Sequence, residues 1–82
     1  MQRSYNPVDY TFEWVDGWYK WDYKESHKQA RQARREAVKD LKDRGHTVRV
    51  FTLKDQRITR GGIGSGQPHI DLVVNVYYLE VN

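Results

Sequence analysis

The stretch Tyr10-Thr11-Phe12-Glu13-Trp14-Val15-Asp16-Gly17-Trp18-Tyr19-Lys20-Trp21-Asp22-Tyr23 decides the fold. Two alternating runs flank Asp16-Gly17, a dipeptide that accepts the positive φ both central residues of a type I′ turn require. A two-residue loop leaves no freedom of register. Val15 faces Trp18, Trp14 faces Tyr19, Glu13 faces Lys20 and Phe12 faces Trp21. Tyr10, Phe12, Trp14, Tyr19, Trp21 and Tyr23 then share one face, and Glu13 meets Lys20 on the other. A slip by one residue scrambles both faces.

A helix is predicted directly after the hairpin. Ser26 and Gln29 form a capping-box pattern. Gly45 suits the position just past the C-terminus, with Lys42 and Arg44 in the last turn, where the helix dipole favours cations. Ala30, Ala33, Ala37 and Leu41, with Val38 alongside, recur at helical spacing. A stripe of small residues lets a helix approach a bulky surface closely, and the aromatic face of the hairpin is the expected partner.

Residues 47–54 read as a third strand, rich in Val, Thr and Phe, and residues 71–81 as a fourth, apolar on both faces. Met1 to Pro7 reads as a frayed N-terminal arm. Residues 55–70 read as a long Gly-rich connection containing Arg57, Arg60, Gly61, Gly62, Gly64 and Gly66. The expected fold class is α+β in the order β-β-α-β-β, with one mostly antiparallel four-stranded sheet and a single helix packed on one face. Many unrelated small domains share that order, so it carries no function.

Eighty-two residues suffice for one domain and one core. With 38% hydrophobic and 13% aromatic residues the chain is too apolar for wholesale disorder. The absence of Cys excludes disulfides and thiolate metal sites. No apolar run approaches the roughly 20 residues that span a bilayer, and Met1 to Pro7 lacks a signal-peptide core. The expected location is cytoplasmic, with no membrane partner, and a Cys-free chain of this size suits a virus or mobile element.

Charge is unevenly placed. The chain carries 14 Lys+Arg against 11 Asp+Glu, a net +3. Ser26 to Arg44 alone holds seven bases and three acids, a net +4. Lys28, Arg31, Arg35, Lys39 and Lys42 fall on one side of the helix, opposite the alanine stripe. Such a ribbon is the footprint of a surface for nucleic-acid phosphates; it is also what an ordinary solvated helix face made of strong helix formers looks like. Arg57 and Arg60 in the loop add to the candidate nucleic-acid-binding set, and Ser65, Gln67 and His69 are its candidate polar contacts. The glycine cluster is not a P-loop, since no Gly-Lys-Ser/Thr follows, nor a dinucleotide fingerprint, which needs a helix next.

No catalytic constellation emerges, so the chain is not expected to be an enzyme. His27, His46 and His69 are not spaced as metal ligands, so neither a metal nor a cofactor is expected. His69 and Asp71, two apart, form at most an acid/base pair, and more simply end a loop. One helix covers one sheet face, and the other face is expected to expose Phe51, Leu53, Val73, Tyr77, Leu79 and Val81, with Val15 and Trp18. Such a patch marks a self-association or protein interface. Two functions follow: a small non-enzymatic domain that contacts nucleic-acid phosphates through the helix and the Arg/Gly loop, or a protein-interaction module, adaptor or inhibitor, that dimerises or binds a partner through the apolar sheet face.

Overall fold

The Asp16-Gly17 turn forms with φ of 49° and 83°. It joins a hairpin whose pairs, Phe12↔Trp21, Glu13↔Lys20, Trp14↔Tyr19 and Val15↔Trp18, are those the loop length dictates. In this computed structural model the backbone is described for residues 1–10, 12–61 and 69–82. Side chains are described for the same residues except Phe12, Glu13, Trp14, Trp18 and Tyr19. The elements in chain order are β1 (Gln2–Tyr5), a 3-10 turn (Pro7–Asp9), β2 (Phe12–Val15), β3 (Trp18–Trp21), α1 (Tyr23–Asp43), β4 (Val48–Arg60) and β5 (Ile70–Val81).

The class is α+β, with one helix and an antiparallel sheet, but the expected four-stranded sheet is replaced by two sheets. β2 and β3 pair with each other, while β1, β5 and β4 form a three-stranded sheet in that order. The residues expected to fray are the edge strand β1, running from Gln2↔Glu80 to Tyr5↔Tyr77. Its pairing rests on backbone bonds: the Val81 N–H donates to the Met1 carbonyl at 2.8 Å, and the Met1 ammonium donates to the Val81 carbonyl at 3.1 Å. Polar side chains do not oppose such pairing at an edge, where one row of groups faces water.

Of the expected loop over residues 55–70, residues 55–60 and Ile70 belong to strands, and residues 62–68 lie outside the described residues. β4 continues to Arg60, paired with Ile70, through a bulge between Leu53 and Gln56. Lys54 and Asp55 stand opposite Asn75, and Asp55 takes a φ of 56° while its N–H donates to Asn75 Oδ1 at 3.2 Å. The bulge absorbs one extra residue and lets pairing resume.

The helix begins earlier than the Ser26 pattern implies. Asp22 is the N-cap, and its carboxylate accepts the Glu25 N–H at 2.8 Å. Ser26 lies inside the first turns, fully buried, and its hydroxyl donates to the Tyr10 carbonyl at 3.1 Å. The C-terminus closes as predicted, with Gly45 at φ 91° and bonds from His46 N–H to the Leu41 carbonyl (3.0 Å) and from Gly45 N–H to the Lys42 carbonyl (2.9 Å), a Schellman motif.

The alanine stripe does face inward. Ala30 and Leu41 are buried, and Ala33, Ala37 and Val38 are half-buried. Of the hairpin's aromatic face, Trp21 meets the Tyr23 and His27 rings of α1 at 5.7 and 6.1 Å, and the side chains of Phe12, Trp14 and Tyr19 lie outside the described residues. α1 lies over β5, β1 and β4 and against the 3-10 turn. Tyr77 fixes which face is covered: its ring meets the His27 ring edge-on at 5.9 Å, and Arg34 sits over it at 5.1 Å. The odd residues of β5, Tyr77 and Leu79 among them, therefore face the helix. The even residues Val74 and Val76 form a second cluster with Val8 of the 3-10 turn, flanked by Trp21, Ile58, Leu72 and Tyr78. Both faces of β5 are thus used, which explains why its sequence is apolar on both.

That arrangement covers part of the expected apolar face. Tyr77 and Leu79 are buried beneath α1, and Val81 is half-buried. Phe51 stacks on Tyr78 with ring centroids 5.0 Å apart on the opposite face. Of the residues expected on that patch, Val15 (42%), Leu53 (42%) and Val73 (57%) are exposed, and the side chain of Trp18 lies outside the described residues. Register places Leu53 with Val76 and Val73 with Arg57, so these two lie on opposite faces of the sheet.

Candidate phosphate-binding surface

Lys28, Arg31, Arg35, Lys39 and Lys42 are all exposed on α1. At 3.6 residues per turn they fall within an arc of about 80°. Because the helix starts at Tyr23, exposed Lys24 joins the same arc. The six cations then follow one line of about 27 Å along the helix. The acids Glu25, Glu36, Asp40 and Asp43 gather on the adjoining flank. Asp40 is taken by Arg44 at 3.2 Å, and Glu36 accepts from Gln32 at 3.4 Å. Among the described residues none of the six ribbon cations is in a salt bridge.

Arg34 belongs to the same helix but not to the ribbon. It points inward, and its Nη1 donates to the Phe51 carbonyl at 3.0 Å and to Thr52 Oγ1 at 3.2 Å. Burial lowers its pKa from the ordinary guanidinium value, Tyr77 opposing and Arg31 adding to the shift. Arg34 thus ties α1 to the sheet, while its neighbours on the outer arc stay in water. Arg31 is shared between the two roles: it donates to Tyr77 Oη at 3.1 Å and lies over that ring at 5.7 Å, yet remains exposed. This bond fixes the guanidinium with donors to spare.

The two arginines expected in the loop are elsewhere and already paired. Arg57 grips Asp71 through two bonds of 2.9 and 2.7 Å, and Arg60 pairs with Asp9 of the 3-10 turn. Both sit on β4, and neither joins the helix ribbon. Of the three loop contacts, Ser65 and Gln67 lie outside the described residues, and His69 is exposed just ahead of β5. The carboxylate that His69 was set against is the one Arg57 holds. Among the described residues no group of three or more His, Asp or Glu could hold a metal ion, and no helix is long and apolar enough to cross a membrane.

The Arg57–Asp71 fork has a checkable electrostatic consequence. The hydrogen bonds and charge of Arg57 hold the Asp71 carboxyl below its ordinary value, His69 adding to the shift. A depressed folded-state pKa stabilises the fold above the unfolded-state pKa, and that contribution is lost as pH falls through the folded value. Arg57→Gln is expected to return the Asp71 titration, followed by carboxyl NMR, toward the ordinary range. An unchanged titration in the variant would remove the fork from the account.

No protein-family model, curated protein or solved structure matches the chain. Function therefore has to be argued from the geometry of this surface.

Proposed function

We propose that the protein is a non-enzymatic binding domain that contacts nucleic-acid phosphates through the outer face of α1. The observation that carries this reading is the row Lys24, Lys28, Arg31, Arg35, Lys39 and Lys42, exposed and without carboxylate partners among the described residues, while Arg57 and Arg60 are each engaged by a carboxylate. A surface meant only to keep a helix soluble gains by interspersing its acids and bases for i,i+4 pairing. Here the two signs are segregated onto separate flanks. A straight line of positive charge matches a phosphate backbone, and each phosphate neutralised releases condensed counterions.

Fluorescence anisotropy with a labelled oligonucleotide at several salt concentrations tests this. If about five phosphates are engaged, affinity falls about 500-fold between 50 and 200 mM salt. Lys39→Ala then reduces the slope of log affinity against log salt by about one and weakens all sequences alike. If neither DNA nor RNA is retained at the lowest salt, the reading fails.

A further inference from the structure

Beside the first turns of α1 lies a cavity of 380 Å³ between the helix and β5. Its size falls within the range of about 300–1,000 Å³ usual for small-ligand sites. Three cations line it, Lys24, Lys28 and Arg31, and among the described residues no carboxylate does. The β5 side is Tyr77, which holds Arg31 in place, and Asn75, whose oxygen is taken by the Asp55 N–H. The remaining wall is a pair of rings. Tyr23 lies on His27 with centroids 4.0 Å apart and planes tilted by 30°. His27 is buried and bonded at both nitrogens, to the Tyr23 carbonyl at 2.8 Å and the Asn75 N–H at 3.3 Å. It therefore supplies a fixed plane under Tyr23, which itself stays 51% exposed.

The geometry points to a seat for one unpaired nucleotide, with its base stacked on the outer face of Tyr23 and its phosphate held by Lys24, Lys28 and Arg31. This rests on the phosphate-binding reading of α1 and goes further by naming what the end of the ribbon recognises. Phosphates along a ribbon can come from a duplex or a single strand alike. A base face is available for stacking only when the base is unpaired, and aromatic platforms beside a cationic track are how single strands are bound without sequence readout. Lys28 and Arg31 belong to both the ribbon and the cavity, so a strand following the ribbon delivers a nucleotide to the rings. The shared chemistry, a base carrying a phosphate, is also that of a free nucleoside monophosphate.

The test uses the full chain with three probes: a 12-nucleotide oligothymidylate, a 12-base-pair duplex and thymidine monophosphate. The wild type is expected to favour the single strand over the duplex by about tenfold. Tyr23→Ala should abolish that preference and leave duplex affinity unchanged, Tyr23→Trp should keep it, and Lys39→Ala should weaken both strands equally. Circular dichroism confirms that each variant is folded. Thymidine monophosphate should shift the Tyr23, Lys24 and Asn75 amide resonances. If Tyr23→Ala leaves the ratio of single-strand to duplex affinity unchanged while both still bind in a salt-dependent way, the ribbon stands and the seat is overturned. If neither strand binds but thymidine monophosphate shifts those amides, the ribbon reading falls and the cavity stands as a site for the free nucleotide. No binding and no shifts overturn both.

Discussion

Replacing Leu79 with Ala is expected to lower the unfolding free energy by about 2–5 kcal/mol, in the range for truncating a buried leucine to alanine. Leu79 is fully buried on the β5 face beneath α1 and is the largest of the fully buried side chains among the described residues. The core around it is small: Ala30, Leu41 and Tyr77 are its buried neighbours by face, and alanine cannot spread into a gap. A chain of 82 residues has a total stability of about 4–12 kcal/mol. The variant is therefore expected to be partly unfolded near physiological temperature. Leu53→Ala is the matched control. It makes the same chemical change on the other face of β4, where Leu53 is 42% exposed, and should cost about 1 kcal/mol or less. Urea unfolding followed by circular dichroism separates the two. Comparable midpoints for both variants would mean that α1 does not cover the Leu79 face, and the placement of the ribbon on the outer side would lose its basis.

That comparison also marks where sequence stops being informative. The hairpin register was readable because Asp16-Gly17 admits a single pairing, and the helix C-terminus because Gly45 is the one residue there that takes positive φ without strain. The Ser26–Gln29 pattern placed the helix start four residues late, because local propensity does not distinguish it from the cap formed at Asp22 with the Glu25 N–H. The Tyr10 carbonyl does, by engaging Ser26. β1 has no apolar alternation, because an edge strand held by backbone bonds does not need one. The Lys54-Asp55-Gln56 run resembles the end of a strand, and only its partner Asn75 reveals a bulge. The helix could not be assigned to a face from β5 itself, since both of its faces are apolar and both are covered.

The site divides along the same line. Five of the six ribbon cations follow from helical spacing alone, whereas Lys24 depends on where the helix starts. Arg34 counts as one more base in the sequence and is a half-buried tie between helix and sheet in the fold. The cavity was invisible, because it needs Tyr23 inside the first turn of the helix and needs Asn75 and Tyr77 brought alongside from a strand some fifty residues away.

The second large effect is expected at His27. β1 pairs with β5 as far as Tyr5↔Tyr77, and the same register would set residue 7 against Asn75. Residue 7 is a proline that begins the 3-10 turn, and its carbonyl accepts from Trp21 Nε1 at 3.1 Å and from the Tyr10 N–H at 3.2 Å. The chain thus leaves the sheet and Asn75 loses its strand partner. His27 takes that place from the helix: Nε2 accepts the Asn75 N–H at 3.3 Å, while Nδ1–H donates to the Tyr23 carbonyl at 2.8 Å. A single buried ring therefore completes the sheet edge and secures the first turn of α1. In His27→Leu the volume is nearly kept but both bonds are lost. The orphaned N–H costs about 1–3 kcal/mol and the second bond about 1 kcal/mol, so the variant should be less stable by about 2–4 kcal/mol. Stability alone would not distinguish this from a packing defect, but amide exchange would. The Asn75 N–H is expected to be protected in the wild type and to exchange far faster in His27→Leu, with the Leu79 amide, deeper in the β1–β5 ladder, quickened only by the global loss of stability. His27→Gln, which can present an acceptor from the same position, should recover part of the protection. If Asn75 exchanges equally fast in the wild type, the histidine is not its partner, and the ring stack that builds the cavity beside it would have to be held by something else.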